Sequence, residues 1–292
     1  MQPANSSLIQ RWNEHPRLRH ISPDGLPDYI LSSMLGISDY YAGFDSSHDE
    51  SHGIRVFHLG RRIYSRMKQL NPDYRLYDNQ QIISEALALQ IVDLACVFHD
   101  FFDRKYFRTK DAYAARRALL EKLLIEHGGI YEEWTVLVLL ISEKSGFSKM
   151  ELCDGKLVAP DLGLAQDMLS VMSDADRLDA VIGADSVDRS AQFQLYRINW
   201  LIAEGRNENN KHQYDRYVAP IANLDDPVQV KKQAWQLAIF YTLEQEPGCR
   251  SERASTIVTP AGREILAAGE QAAIDRALQV KVSIAEGKVP WL

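Results

Sequence analysis

The chain has 292 residues, 46% hydrophobic and 25% charged, which are ordinary values for a globular protein and argue against intrinsic disorder. Its 33 Lys and Arg stand against 40 Asp and Glu, and the net charge of -7 excludes an overall field that attracts nucleic acid or an anionic membrane. Three widely spaced cysteines argue against a disulfide framework and a thiolate zinc site. Because the sequence also shows no signal-peptide pattern and no apolar run long enough to span a bilayer, we expect a cytoplasmic protein.

Helices are predicted over most of the chain, because no segment alternates apolar and polar residues as a half-buried strand does. Since strands are not predicted anywhere, we expect an all-α fold. Residues 162–184 are expected to form one helix or two in series. From the amino end to the carboxyl end, apolar spacing and end signals predict helices over residues 8–14, 26–35, 45–70, 82–102, 111–127, 131–143, 162–184, 192–204, 228–244 and 260–284.

Three stretches outside these helices set the expected boundaries. Residues 1–26 are punctuated by prolines, and we expect a peripheral N-terminal extension there. Residues 153–160 are expected to be a loop, and the polar stretch 205–227 is predicted to be a long loop or lid. Since no shift in composition divides the remainder, residues 27–292 are predicted to form a single helical domain.

Histidines and aspartates occur where the predicted helices bury apolar residues. His52 lies on the apolar stripe of its helix. His99 and Asp100 end the apolar run 86–98, where a buried carboxylate is costly unless something compensates its charge. With one aspartate from 174–176, these side chains have the imidazole and carboxylate groups from which helical scaffolds build metal sites. On spacing alone, histidines that simply pack in the core remain an alternative.

Two longer motifs accompany the His99-Asp100 doublet. His48-Asp49-Glu50-Ser51-His52-Gly53-Ile54-Arg55-Val56 resembles the HDxxHxxRV opening of the small bacterial HD phosphohydrolases that act on nucleotides, and Asp174-Ala175-Asp176-Arg177-Leu178-Asp179-Ala180 resembles their DADRLDA block. The chain thus resembles the all-helical HD-domain superfamily over about residues 45–190. Thr259-Pro260-Ala261-Gly262-Arg263 resembles a C-terminal helix start in the same subgroup. The resemblance implies a single HD domain.

By position, the resemblance implies that His52, His99, Asp100 and Asp176 hold one divalent metal ion. A set of nitrogen and oxygen ligands without thiolate suits Mn, Fe, Co, Ni or Mg better than a structural zinc site. The implied activity is hydrolysis of a phosphate ester or anhydride. Asp103 follows Asp100 by three residues, which on a continuing helix returns it to the same face. In related enzymes an acidic residue at this offset positions or deprotonates the attacking water, so Asp103 is the candidate general base or water-orienting residue, although a surface acid paired with Arg104 or Lys105 is an alternative.

Positive side chains are expected near such a site, because phosphoryl transfer needs cations beyond one metal ion. Lys105, Arg177 and Lys144 are candidate phosphate contacts, and the resemblance adds His48; each of the four is also consistent with a solvated charge. The implied substrate is a small phosphorylated compound, in particular a nucleotide, with no nucleic acid or membrane as partner. A homodimer is left open. Glu143 stands where the relatives usually have a histidine, so one substrate contact is expected to differ.

Two other functional classes stay open. Di-iron oxygenases share the HD fold, but they need extra histidines between the doublet and the last aspartate. This chain offers only His127 in that interval, next to the pair Gly128-Gly129, where a helix-capping histidine is favoured by the helix dipole. Non-catalytic regulatory HD domains tend to have lost ligands, whereas this sequence retains the full implied set.

Overall fold

The computed structural model describes residues 5–41, 49–77, 83–101, 109–144, 151–153, 156–158, 165–244 and 249–291. Helices make up most of these residues, and the predicted all-α class is confirmed. The described elements are α1 (Ser6–Glu14), α2 (Asp28–Ile37), the 3-10 turn Ser38–Tyr41, α3 (Glu50–Leu70), α4 (Glu85–Phe98), α5 (Lys110–His127), α6 (Glu132–Lys144), β1 (Glu151–Cys153), β2 (Lys156–Val158), α7 (Gln166–Val181), α8 (Ala184–Glu204), α9 (Lys211–Tyr217), α10 (Pro227–Leu243), α11 (Arg250–Ser255) and α12 (Pro260–Ala285).

Every predicted helix has a counterpart, but three short features contradict the expectations for the intervening segments. The antiparallel hairpin β1–β2, with Glu151 paired to Val158, lies where a loop was expected. Helix α9 lies inside the predicted loop 205–227, and α11 lies between two predicted helices. Elements of three to seven residues contain too few turns or alternations to be recognised by periodicity.

The chain divides into two compact units. The first unit comprises Met1–Phe44, His48–Asp176 and Val258–Gly262, and the second comprises Asp45–Ser47, Arg177–Ile257 and Arg263–Leu292. Helices α7 and α12 therefore contribute residues to both units. All four implied metal ligands belong to the first unit. The single domain expected for residues 27–292 stays a prediction.

Side-chain caps define where α3 and α4 begin. The Asp49 carboxylate accepts hydrogen bonds from the backbone N–H groups of Ser51 (3.0 Å) and His52 (3.1 Å), so α3 starts later than predicted. The Ser84 hydroxyl caps α4 in the same way, at 3.2 Å from the N of Leu87. Helix α4 ends at Phe98, and residues 99–101 form a turn, so the helix predicted over 82–102 was too long at both ends.

Two glycines on α3 allow a close approach to α4. A Cβ added at Gly53 would overlap the backbone carbonyl oxygen of Val97. At Gly60, two helical turns further along, an added Cβ would lie 2.9 Å from the sulfur of Cys96 and 3.9 Å from Ala175. The backbones of α3 and α4 thus lie closer together than larger side chains permit. This approach brings His52 on α3 to the carboxyl end of α4.

An ion pair between half-buried Arg61 and buried Asp93 also joins α3 and α4. The Arg61 Nε atom donates to both carboxylate oxygens of Asp93, at 2.8 and 3.0 Å, and its Nη2 atom donates to the Tyr29 hydroxyl at 2.8 Å. The Tyr29 hydroxyl in turn donates to Asp93, which is 1% exposed. We call these three residues the arginine network. Burial raises the pKa of Asp93 to about 6, although Arg61 and Tyr29 act in the opposite direction.

The predicted N-terminal extension is packed into the first unit. Trp12 and Leu18 are fully buried, so the expectation of a peripheral segment was wrong at these residues. The indole N–H of Trp12 donates to the backbone oxygen of Ile21 at 2.8 Å, which satisfies its one polar atom. Arg17 donates to the buried carboxylate of Glu50, through its Nη2 atom at 3.0 Å, and so ties this segment to the start of α3.

The second unit is built mainly on α8 packed against α10. One apolar cluster contains Trp235 from α10 together with residues of α8 and α12, and the Trp235 indole N–H donates to the backbone oxygen of Pro290 at 3.1 Å. Another cluster contains Ile198, Leu201 and Tyr217 with the amino-terminal half of α10. Among the described residues of the chain, no helix is both long and apolar enough to cross a membrane.

Candidate metal centre

Four side chains from α3, the turn after α4, and α7 meet in the first unit. His52 lies in the first turn of α3, His99 is the C-cap of α4, Asp100 follows it, and Asp176 lies on α7. Both histidines are buried, whereas the Asp176 side chain is 36% exposed. We call this group the four-residue cluster. The sequence predicted these positions, and the structure brings the side chains together.

The two histidine nitrogens in this cluster lie at metal-binding distances from each other and from each of the two carboxylates. The Nε2 atoms of His52 and His99 are 3.2 Å apart. Oδ2 of Asp100 lies 3.5 and 3.3 Å from these two nitrogens, and Oδ1 of Asp176 lies 3.3 and 3.4 Å from them. With metal–ligand bonds of about 2.0–2.2 Å, neighbouring ligands lie roughly 3.0–3.5 Å apart. The residues present therefore fit a divalent cation.

The orientation of the His99 ring is fixed by a second contact. Its Nδ1 atom lies 2.9 Å from the backbone carbonyl oxygen of Cys96, which can only accept a hydrogen bond, so Nδ1 carries the proton. In the neutral ring, the lone pair is then on Nε2, the atom that faces the rest of the cluster. Hydrogen bonds of this kind select the tautomer and orient the ring of metal-binding histidines.

The charges in the cluster favour a bound cation. Burial lowers the pKa of His99, but the carboxylates of Asp100 and Asp176 outweigh this effect and hold the pKa well above its usual value. Burial raises the pKa of Asp176, but the His99 and His52 imidazoles reverse the effect and hold it well below its usual value. The same field that retains a proton at this point also stabilises a metal ion that replaces the proton.

Asp174 has a different environment from Asp176. Its fully buried carboxylate accepts hydrogen bonds from the backbone N of Val258 (3.0 Å) and of Thr259 (2.8 Å), and from the Thr259 hydroxyl (2.6 Å). The Thr259 Oγ1 atom also accepts from the N of Gly262 at 2.9 Å and thereby caps α12. Spacing alone left open which aspartate of 174–176 joins the cluster, and the resemblance implied Asp176. The geometry assigns Asp174 to anchoring this turn and Asp176 to the cluster.

The structure describes only two of the five other residues that the sequence proposed for catalysis or phosphate binding. His48, Asp103 and Lys105 lie outside the described residues. The premise that the helix continues beyond Asp100 is wrong for the described part, because residues 99–101 form a turn. Arg177 is buried and is grouped with the second unit, and Lys144 is half-buried at the end of α6. Their contacts with a substrate stay predictions.

Three further acidic or histidine side chains have identifiable structural partners. Glu143 accepts hydrogen bonds from the Tyr113 hydroxyl at 2.7 Å and from Arg117 Nε at 3.0 Å. Asp179 is buried and pairs with Arg189 at 3.2 Å. The His127 ring lies against Gly36 of α2, where an added Cβ would overlap it. His127 therefore lies in a helix–helix contact and is not one of the four residues of the cluster.

Sequence reasoning missed the residues that support the cluster. The carbonyl of Cys96 orients His99, and Gly53 sets the approach of α3 to α4. Every residue has a backbone carbonyl, so the residue types alone could not predict the contact between the Cys96 carbonyl and His99. The glycines at 53 and 60 did give a signal, because glycine is unfavourable inside a helix unless close packing requires it.

Comparisons with known proteins identify no relative. No known protein family, no curated protein and no solved structure matches this chain. The likeness to the HD-domain superfamily therefore depends on the motifs quoted above.

Proposed function

We propose that this protein is a metal-dependent phosphohydrolase that cleaves a phosphate ester or anhydride, in particular of a nucleotide. The observation that carries the proposal is the convergence of His52 and His99 Nε2, 3.2 Å apart, with one carboxylate oxygen each of Asp100 and Asp176 at 3.3–3.5 Å from both nitrogens. The sequence resemblance to HD phosphohydrolases supplies the reaction class. We infer a cytoplasmic enzyme of small phosphorylated compounds, with no nucleic acid or membrane partner.

Each residue of the cluster has a distinct part in this proposal. His52 and His99 would bind a divalent ion (Mn, Fe, Co, Ni or Mg) through Nε2, while Asp100 and Asp176 would supply negative charge that offsets the charge of the ion. When bound, such an ion lowers the pKa of water and offsets negative charge on a phosphoryl group. The Cys96 carbonyl holds the His99 ring in place. Both imidazoles are buried.

The reacting water and the phosphate need further groups. We propose that Asp103 orients or deprotonates the water, as the resemblance to HD phosphohydrolases implies for an acidic residue three positions after Asp100. Lys105, Arg177, Lys144 and His48 are the proposed phosphate contacts, since the cluster itself is acidic and phosphate is anionic. These assignments rest on the sequence.

The proposal is tested on apo-protein that is reloaded with each of the five metals. The screen covers nucleoside mono-, di- and triphosphates and a generic phosphoester, with the His99→Ala variant assayed in parallel. We expect metal-dependent phosphate release that the variant lacks. If the wild type released no more phosphate than His99→Ala with any of the five metals, the proposal would be contradicted. Metal binding without any hydrolysis would instead favour a regulatory domain, and two irons per chain with an oxygen-dependent reaction would favour an oxygenase.

A further inference from the structure

Arg116 of α5 holds the turn that follows α4. Its Nε atom donates to the backbone oxygen of Phe101 at 3.3 Å, and the carbon of its guanidinium lies 4.1 Å from the centre of the Phe101 ring. Phe101 is fully buried and directly follows Asp100. One side chain thus contacts both the backbone and the ring of the residue next to the cluster. Planar stacking and hydrogen bonding together are specific to arginine, and lysine cannot reproduce them.

The 3-10 turn Ser38–Tyr41 also contacts Phe101. The Phe101 ring makes edge contacts with the rings of Tyr41 (5.4 Å between centres) and Tyr40 (6.5 Å). Arg116 also donates to the backbone oxygen of Tyr40, and Arg17 donates to that of Tyr41 at 3.4 Å. The Tyr41 hydroxyl donates to the backbone oxygen of Val97 at 3.4 Å. Phe101 therefore contacts both Arg116 and a turn whose backbone oxygens accept hydrogen bonds from Arg116 and Arg17.

The turn needs such support because the helix does not provide it. Helix α4 ends at Phe98, and the Phe101 N–H donates to the Phe98 carbonyl at 3.0 Å as the chain leaves the helix. When a metal ligand lies outside a helix or strand, metal binding must also order its backbone, which costs conformational entropy unless neighbouring residues already hold that backbone in place. Residues that orient metal ligands from outside typically contribute 10–100-fold to metal affinity.

We propose that Arg116 is a positioning residue for the metal centre, which fixes the His99–Asp100 turn through Phe101. The inference rests on the proposed metal binding of the four-residue cluster. It assigns to Arg116 no contact with substrate or with the ion. Its effect is on the affinity and the geometry of the bound metal, which are both measurable without any turnover assay.

The test compares Co²⁺ binding by the full-length wild type, Arg116→Met and Arg116→Lys, each stripped of metal and titrated in a calorimeter and by visible absorption. We expect both variants to bind Co²⁺ about 10–100-fold more weakly than wild type and to shift its absorption bands. Lysine fails to rescue because it keeps the charge but loses the planar group. A merely structural loss would leave the spectrum of the bound metal unchanged.

Arg197→Met is the matched control. Arg197 stacks on the Tyr217 ring at 4.4 Å and donates to its hydroxyl at 3.0 Å, but it lies in the second unit. We expect this variant to lower the melting temperature to a similar extent while leaving Co²⁺ affinity and absorption as in wild type. An equal loss of affinity in the control would show a general effect of destabilisation and overturn the inference.

The remaining outcomes separate the two proposals. A wild type that does not bind Co²⁺ would overturn the metal-binding function and the inference with it. A wild type that binds, together with Arg116 variants of unchanged affinity and spectrum, would overturn the inference alone. If Arg116→Met does not fold, Phe101→Leu keeps a buried apolar side chain but removes the ring that Arg116 stacks on. The same weakening is expected there, and unchanged binding would count against the inference.

Discussion

Two polar groups connect α3 to the α4 region, and they differ in how their charges are balanced. In the arginine network, the Asp93 carboxylate is matched by the permanent charge of Arg61 and by the Tyr29 hydroxyl. In the four-residue cluster, two carboxylates meet two imidazoles, whose charge changes with protonation. In the arginine network, the Arg61 guanidinium supplies the positive charge permanently. In the four-residue cluster, the negative charge of the two carboxylates can be balanced by a proton or by a metal ion.

This difference separates a structural polar group from a candidate functional one. A buried, permanently paired aspartate holds helices in register, and its removal is expected to change stability alone. A group of titratable ligands is expected to change metal binding when it is altered, with smaller effects on the fold. Four substitutions test this distinction, in order of decreasing expected effect.

Asp93→Ala is expected to cost about 3 kcal/mol in the free energy of unfolding, the lower end of the range for breaking a buried ion pair, because the Asp93 carboxylate is buried but water can still reach Arg61, which is 34% exposed. Denaturant unfolding measures this loss. Metal affinity of the folded fraction should stay as in wild type. A variant of wild-type stability would show that the arginine network does not hold the helices together.

Asp176→Ala is expected to lower metal affinity by more than about 100-fold, since losing a ligand should exceed the 10–100-fold effect of residues outside the ligand set. Helical content by circular dichroism should change little. Asp174→Ala is the matched control, because it loses about 1–3 kcal/mol of stability with its buried hydrogen bonds but keeps the metal. Full metal occupancy in Asp176→Ala would show that the wrong aspartate was assigned.

Asp103→Asn is expected to keep the metal and to slow turnover by about 10²-fold or more, the usual scale for loss of a general base. Asparagine preserves size while removing the basic oxygen. Steady-state kinetics and metal analysis on the same preparation separate the two effects. Turnover at the wild-type rate would remove Asp103 from the mechanism.

Gly53→Ala is expected to destabilise the protein by about 1–3 kcal/mol through overpacking against the Val97 carbonyl, an effect that the better helix propensity of alanine offsets in part. Because His52 is the adjacent residue, metal affinity should fall as well. Gly60→Ala provides the comparison, since it disturbs the same helix pair two turns away from His52. Equal metal affinities in the two variants would show that the Gly53 approach does not position His52.

The sequence predicted long helices and the members of the cluster for physical reasons that apply locally. Apolar spacing along α3 and α4 reflects burial of one face, and burial is what made the charges of His99 and Asp100 conspicuous. The exact end of α4 was missed, because Asp100, Phe101 and the following residues carry no glycine or proline that marks a helix end.

What could not be predicted depends on contacts between distant residues. The Asp174 carboxylate binds the backbone of Val258 and Thr259, and no local pattern near residue 174 reveals these partners, so spacing alone could not choose between Asp174 and Asp176. The hydrogen bond from Arg116 to the backbone oxygen of Phe101 likewise joins residues of separate elements. Such contacts follow from the packing of the whole unit, which local sequence patterns do not reveal.

The Asp174 anchor also bears on how the protein is made. Val258 and Thr259 follow Asp174 by 84 and 85 residues, so these donors are synthesised long after α7 has left the ribosome. Until then, the carboxylate next to the cluster lacks the three hydrogen bonds that they provide in the finished fold. A nascent chain, or one truncated before residue 258, therefore has the four implied ligands in its sequence without this anchor of the helix that carries Asp176.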